Sequence, residues 1–246
     1  MSAIKKLLYK NLSLENYLRL LQCSYFALYN SGLLRLSGKF DYHYHVKRLI
    51  ARGDVILDIG ANLGYYSIPF ARWTGPTGKV LSVEPIPIYN KVFNGLARKY
   101  PAITLYSCAL GPDEGPVEMV APLDAGYLQT GHPYVGRKGD ENAPGLRFQT
   151  EMKNPATLFG GLERLDYIKC DVEGFEYQVL SQMRDLIARL RPKVQVEVWT
   201  QNESRMLEMF ALLGYNPFRM ERGKLVPFAD SATDGDIIFV PGPAKA

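Results

Sequence analysis

The chain has 246 residues, 47% of them apolar and 22% charged, so it can fill a hydrophobic core without disulfides or a structural metal. Its 29 basic and 25 acidic residues leave a formal charge of +4, which is scattered and does not indicate a nucleic-acid partner. Cys23, Cys108 and Cys170 form no CxxC pair, so we expect no zinc and a reducing, cytoplasmic location. No apolar run reaches the roughly 18 residues of a transmembrane segment.

The first 50 residues predict a helical N-terminal extension that precedes the main domain, residues 51–246. Ser13 is a suitable N-cap for a helix, and four apolar side chains share one face of it: Tyr17, Leu21, Tyr25 and Leu28. The basic start around Lys5, Lys6 and Lys10 would also suit an anionic membrane surface, but packing on the domain is the favoured interpretation.

From residue 54 onward, short apolar runs alternate with helical patterns. This alternation predicts an α/β fold, with a doubly wound, mostly parallel, Rossmann-like sheet of seven strands. Strands are predicted at residues 54–59, 79–84, 103–108, 167–171 and 194–199, and helices at 88–97, 175–190 and 206–213. Two last strands, near 215–220 and 236–240, are separated by Arg222, Gly223 and a polar stretch, which predicts an antiparallel hairpin at the sheet edge.

The segment 122–145 is rich in glycine and proline and has no periodicity. Long loops of this kind inside a domain are usually functional, so we expect an insertion that borders a substrate. Tyr127, His132 and Tyr134 are predicted to face that substrate.

The stretch LDIGANLGYYS, residues 57–67, predicts a buried strand, a glycine turn and a helix that begins near Gly64. Gly60 and Gly64 would let the backbone approach a ligand, and the helix N-terminus would attract a carboxylate. Asp58 could accept hydrogen bonds from an ammonium group. Together these groups suit an amino-acid moiety.

Glu84, followed by Pro85, ends the second predicted strand, where a carboxylate can accept both hydroxyls of a ribose. Cys108 and Ala109 end the third, where an adenine ring is expected. A nicotinamide-dinucleotide fingerprint is the main rival, but Asn62 replaces its middle glycine and Asp58 sits just before the turn.

Asp171 and Glu173 end the fourth predicted strand, and Glu197 lies near the end of the fifth. Three carboxylates this close require a shared proton or a cation. A shared proton would raise the pKa of Asp171 and make it a general base, whereas Mg²⁺ or Mn²⁺ bound by all three would activate a hydroxyl directly. Glu173 and Glu176 could also simply favour the first turn of the next helix. His43, His45 and His132 are weaker candidates for a base.

At these motifs the sequence resembles the FkbM family of methyltransferases, over residues 42–240, with LDIGANLGYYS and IKCDVEGFEYQVL as the specific stretches. The resemblance implies a class I enzyme dependent on S-adenosylmethionine (SAM) that methylates a hydroxyl of a sugar, glycan or secondary metabolite. It implies that Asp171, Glu173 and Gly174 shape the reaction site. The residues expected to bind the cofactor are Asp58, Gly60, Ala61, Asn62, Gly64, Tyr65, Glu84, Pro85, Cys108, Ala109 and Asp171.

Two other functions remain compatible with such a sheet. One is a nicotinamide-dependent oxidoreductase that uses the same crevice. The other is a metabolite-binding domain without catalysis, although acidic residues at both the first and fourth strand ends argue against it.

Overall fold

A central sheet of eight strands organises the computed structural model, which describes residues 2–221, 223–229 and 235–243. The strands along the chain are β1 (Val55–Ile59), β2 (Lys79–Val83), β3 (Ile103–Tyr106), β4 (Ala109–Leu110), β5 (Gly115–Asp124), β6 (Tyr127–Leu128), β7 (Tyr134–Val135), β8 (Gly145–Lys153), β9 (Tyr167–Cys170), β10 (Lys193–Val198), β11 (Tyr215–Glu221), β12 (Lys224–Pro227) and β13 (Gly235–Pro241). The central sheet has the order β12-β11-β13-β10-β9-β1-β2-β3.

The five strands from β10 to β3 are parallel, as predicted, and each lies within two residues of its expected bounds. The prediction of seven strands is wrong, because the sheet has eight. The polar stretch after β11 contains β12, which forms the hairpin with β11, and β13 then inserts between β10 and β11. Arg222 and residues 230–234 lie outside the described residues.

Helices cover both faces of this sheet, which confirms the doubly wound arrangement. They are α1 (Ser2–Asn11), α2 (Leu14–Asn30), α3 (Asp41–His45), α4 (Ser67–Thr74), α5 (Pro87–Ala97), α6 (Pro155–Phe159), α7 (Glu176–Gln182), α8 (Arg184–Leu190) and α9 (Thr200–Leu212), with 3₁₀ turns at Leu33–Leu36, Gly38–Phe40 and Val46–Leu49. Successive strand residues alternate between the faces. Ile56 packs with Phe70 of α4, whereas Leu57 belongs to the core with Val179 of α7 and Phe210 of α9. The helix predicted over 175–190 is interrupted at Met183, between α7 and α8.

The segment 122–145 is not an isolated loop. It is the end of a long antiparallel pair, β5 with β8, onto which β6 and β7 fold back to build a second, five-stranded sheet. Pro116 and Pro122 within β5 obscure the strand pattern, since proline is depleted in strands. Met119 and Met152 of this sheet pack with Tyr17 of α2 and Tyr89 of α5.

The N-terminal extension is helical, and Ser13 is the N-cap of α2, its Oγ accepting a hydrogen bond from the backbone N–H of Asn16 at 3.3 Å. The predicted face of α2 is partly wrong, because its buried residues are Tyr17, Leu18, Gln22 and Phe26 and Leu28 is exposed. Gln22 Nε2 donates to the carbonyl of Leu63 at 2.8 Å, so α2 is tied to the turn after β1. No helix among the described residues has the length and apolar character needed to cross a bilayer.

Candidate active site

A cleft opens at the carboxyl ends of β1, β2 and β9, where the parallel sheet is expected to hold a ligand. It holds about 200 Å³ of space and is open to solvent at its mouth. Ten residues predicted from the sequence line it: Gly60, Ala61, Asn62, Tyr65, Glu84, Pro85, Cys108, Ala109, Asp171 and Glu173. Gly131, Pro133 and Val135 of the predicted insertion also line it, as does the weaker base candidate His43; Tyr66, Met119 and Lys169 line it without having been predicted.

The turn after β1 passes very close to the end of β9, and this close approach requires a glycine at Gly60. At φ +81° a Cβ on this residue would lie 1.9 Å from the carbonyl oxygen of Asp171, so only glycine fits. Asn62 has a left-handed backbone at φ +52°, and its Oδ1 accepts from the N–H of Leu63 at 2.8 Å. Its Nδ2 donates to the carbonyl of Thr130 at 2.5 Å, across the mouth of the cleft.

Glu84 is the best-anchored carboxylate of the cleft. The backbone N–H groups of Asn62 and Ile86 donate to Oε2 at 2.8 Å and Oε1 at 2.9 Å, respectively. Each oxygen therefore keeps a lone pair for a second donor. Burial raises the pKa of Glu84 to about 7.

Asp58 and Gly64 do not line the cleft, which differs from the prediction. Asp58 is fully buried beneath the turn, where Ser67 Oγ donates to Oδ2 at 2.5 Å and burial raises the pKa of the carboxyl. Oδ1 of Asp58 has no partner among the described residues. A Cβ on Gly64 would lie 2.5 Å from the ring of Phe93, so this glycine serves packing against α5. The helix begins at Ser67, three residues later than expected, because the turn is longer.

The three predicted acidic residues converge as expected: Asp171, Glu173 and Glu197 each place a carboxylate oxygen within 4.8 Å of the others. Lys169 joins them, since its Nζ lies 2.7 Å from Asp171 Oδ2 and 4.8 Å from the ring centroid of Tyr66. The Lys169 side chain is 4% exposed. The signal for it was local, because residues two apart on an extended strand point the same way.

The proton shared by these carboxylates does not lie on Asp171, as the prediction of a raised pKa for that residue implied. Burial favours a raised pKa for Asp171, but the Lys169 ammonium and a hydrogen bond from Glu197 outweigh it and hold the pKa below its usual value. Burial and the charge of Asp171 raise the pKa of Glu197 to about 9. The pair therefore shares a proton that resides on Glu197, and the predicted raised pKa of Asp171 is wrong.

We expect Lys169→Met to lower the free energy of unfolding by about 3 kcal/mol, because it leaves the Asp171 carboxylate without its buried counter-charge. Urea denaturation at pH 7 measures the change. Lys79→Met, an exposed lysine at the start of β2, is the matched control and should change stability by no more than about 0.5 kcal/mol. Equal stability of the two variants would contradict a stabilising role for the Lys169–Asp171 ion pair.

Glu173 faces the segment that crosses the cleft mouth. Its backbone is left-handed at φ +55°, and Oε2 lies 3.2 Å from Nδ1 of His132. The hydrogen bond to Glu173 raises the pKa of His132, whose side chain is 66% exposed. Glu173 lies before the next helix and is not part of its first turn. Glu176 is the first residue of α7, and its Oε1 accepts hydrogen bonds from the preceding N–H groups of Val172 and Gly174 at 3.0 Å.

Residues 129–133 therefore span the cleft, held by Asn62 on one side and Glu173 on the other. Gly131 and Pro133 line the wall, but Tyr127, His132 and Tyr134 do not, contrary to expectation; His132 lies at the mouth, between these two lining residues. Tyr127 lies instead against α1, with Lys5 Nζ 5.7 Å from its ring centroid.

The N-terminal extension supplies another wall through His43. Its ring stacks on Tyr66 with centroids 4.1 Å apart, and Nδ1 lies 2.6 Å from the Tyr25 hydroxyl. Burial lowers the pKa of His43 to about 3, so the ring is neutral. This contact joins α2, α3 and the turn after β1, and no sequence periodicity indicates it.

Comparison with known proteins agrees with this geometry. The family model described as the methyltransferase FkbM domain matches residues 58–220. The methyltransferase sdnD of Sordaria araneosa is 26% identical over 213 residues, which cover 75% of this chain and 80% of that protein.

A solved structure shows the same fold. A methyltransferase FkbM from Methylobacillus flagellatus KT superposes with a TM-score of 0.54 at 16% identity, over 81% of this chain and 47% of that one, so this chain spans about half its length. A SAM-dependent O-methyltransferase from Thermotoga maritima gives a TM-score of 0.46 at 13% identity, over 85% of this chain and 67% of that one. The fold and the matched residues are those of SAM-dependent methyltransferases. Within that class, the chain belongs to the FkbM family.

Proposed function

We propose that this protein transfers the methyl group of SAM to a hydroxyl oxygen of a small-molecule or glycan acceptor. The observation that carries the proposal is the cluster of acidic residues with a histidine beside the cleft, since a hydroxyl needs a proton acceptor before it attacks. Lys169, the one lysine or arginine of the described lining, is paired with Asp171. A cleft without free basic side chains favours such an acceptor over nucleic acid.

The lining residues fit the cofactor part by part. Glu84 has free lone pairs for two ribose hydroxyls, and the turn from Gly60 to Asn62 suits the amino-acid part. Cys108 and Ala109 line the expected adenine position. The unpartnered Oδ1 of Asp58 offers a buried acceptor beneath the turn, reachable through a water molecule. When bound, the cofactor supplies an activated methyl group, and the chain has to align the acceptor with it.

Asp171, Glu173 and Glu197 remain the proposed reaction-site acids, with their roles divided. Asp171, held ionised by Lys169, accepts a hydrogen bond from a second polar hydrogen of the acceptor and so orients it, and Glu197 keeps the shared proton. Glu173 accepts from Nδ1–H of His132, which leaves the Nε2 lone pair of the imidazole free. We propose His132 as the general base in place of Asp171, because a carboxylate with a lowered pKa is a weak base.

The charges favour a site without a divalent cation. The Lys169 ammonium and the proton on Glu197 already supply the positive charge that three adjacent carboxylates need. Mg²⁺ or Mn²⁺ bound by Asp171, Glu173 and Glu197 is the alternative. Full activity in EDTA is expected; activity that depends on added Mg²⁺ or Mn²⁺ would establish the metal version instead.

The test of the function uses SAM labelled in its methyl group and matched acceptors that carry either a hydroxyl or an amine on the same sugar or ring. We expect label in alkali-stable ethers of the hydroxyl compounds. Methylation of only the amines would contradict the proposal. Oxidation of an alcohol with nicotinamide cofactor, followed at 340 nm, would favour the oxidoreductase, and neither reaction would favour a binding domain.

The affinity for S-adenosylhomocysteine (SAH) should rise about tenfold between pH 6 and pH 8. Glu84 is mostly protonated below its pKa of about 7, and ribose hydroxyls donate to the charged form, so affinity is lost as the pH falls. Calorimetric titration at several pH values measures the slope. Glu84→Gln, which does not titrate, should bind weakly with a flat profile; a flat wild-type profile would refute the role of the charge.

A further inference from the structure

The exposed apolar side chains of this protein are concentrated in the N-terminal extension. Among the described residues, the exposed large hydrophobic side chains are Ile4, Leu7, Leu20, Leu28, Leu33, Leu36 and Leu212. All but Leu212 therefore lie within the first 36 residues, and Leu36 is 87% exposed. Single exposed leucines are ordinary, but six exposed large apolar side chains within 36 residues are found nowhere else in the described part of the chain.

Helix α2 shows the same asymmetry across its width. Its buried side faces the domain through residues such as Leu18, Gln22 and Phe26. Of the exposed residues of α2, only Arg19 is charged; the others are Asn16, Leu20, Cys23, Ser24, Ala27, Leu28 and Asn30. A soluble surface helix normally carries charges on its outward side, so this side is suited to an apolar environment.

The same extension holds the positive charge of the chain. Residues 1–40 contain six basic residues and one acidic residue, a net charge of +5, whereas the entire chain carries +4. The remaining residues are therefore slightly acidic. The single acid, Glu15, is already engaged by Arg19 at 2.8 Å and Lys91 at 2.5 Å. Lys6, Lys10, Arg35 and Lys39 are exposed.

We propose that residues 2–40 form a docking surface for a bilayer that contains anionic lipids. Exposed leucines and Ile4 enter the interface, and the basic side chains attract the lipid headgroups. A second copy of the chain fits this surface less well, because two surfaces of charge +5 would repel each other.

The docking surface borders the cleft. Lys5 lies over Tyr127, and a Cβ on Gly126 would lie 2.9 Å from Cε of Lys6. Both contacts are within a few residues of Thr130, which is bonded to Asn62 across the cleft mouth. Docking would therefore bring the cleft mouth close to the bilayer.

Co-sedimentation of the full chain with vesicles tests the proposal. We expect binding to vesicles of phosphatidylcholine with phosphatidylglycerol, weaker binding to phosphatidylcholine alone, and a decrease as salt rises. Each lysine near the surface contributes about fivefold, so K6Q/K10Q should weaken binding about 25-fold. Ile4→Gln with Leu7→Gln should also reduce it. Lys99→Gln and Leu212→Gln, exposed residues elsewhere, are the matched controls and should bind as the wild type does.

Several results would contradict membrane docking. Absence of binding to the anionic vesicles, equal binding to both vesicle types, or equal losses in the control variants would overturn the proposal. So would a stable dimer in light scattering that leaves the vesicles unbound, because a second copy would then cover the surface. Circular dichroism of each variant verifies that the fold is retained.

Discussion

Glu84→Ala is expected to weaken SAH binding by about 2–4 kcal/mol, which corresponds to about 30- to 1000-fold. The carboxylate would accept hydrogen bonds from both ribose hydroxyls, and charge-assisted bonds of this kind are the strong ones. It also holds the N–H groups of Asn62 and Ile86, so its loss would loosen the turn that holds the amino-acid part. Calorimetric titration at pH 8, where Glu84 is ionised, measures the loss.

The matched control is Glu208→Ala, an exposed carboxylate on α9 that does not line the cleft. It should bind SAH with wild-type affinity. Thermal unfolding of both variants shows whether the fold persists. A folded Glu84→Ala protein with unchanged affinity would remove Glu84 from the cofactor site.

His132→Ala should lower kcat by about 100- to 10,000-fold, the usual contribution of a general base. Affinity for SAH should remain within about twofold, because the side chain is largely exposed and contacts Glu173 rather than the cofactor-facing turn. Steady-state assays with saturating SAM measure kcat. Wild-type kcat should fall as the pH drops through the raised pKa of His132, and the variant should lose this dependence.

His45→Ala serves as the matched histidine control, since its ring lies against Gly223 in the turn between β11 and β12 rather than against Glu173. It should retain kcat and the wild-type pH profile. Asp171→Asn is expected to raise KM for the acceptor more than it lowers kcat, because Asp171 orients the acceptor through a hydrogen bond outside the reacting hydroxyl. If His132→Ala kept full turnover while Asp171→Asn lost it, Asp171 would be the base after all.

The parts of the site that the sequence predicted are those defined by local patterns. A buried strand followed by a glycine turn or an acidic residue is visible within a dozen residues, and Gly60, Glu84 and Asp171 all lie at the strand ends where that pattern placed them. Lys169 is not among the predicted site residues although its signal is equally local, because a single lysine inside an apolar strand does not by itself indicate a site.

The missed features depend on contacts between distant residues. His43 reaches the cleft only because α2 and α3 pack on the turn after β1, and Glu173 meets His132 across 41 positions of chain. The second sheet was missed because its pairing partners, β5 and β8, are separated by the glycine- and proline-rich segment. The position of β13 between β10 and β11 is likewise a matter of which strands pair across the sheet, and no local sequence pattern indicates it.

A crystal structure of the protein with SAH tests the central claim most directly. We expect both ribose hydroxyls to lie on the carboxylate of Glu84, the amino-acid part on the turn from Gly60 to Asn62, and the thioether sulfur facing the side of the cleft where Asp171 and His132 lie. SAH bound elsewhere, or in this cleft without contact to Glu84, would contradict the account.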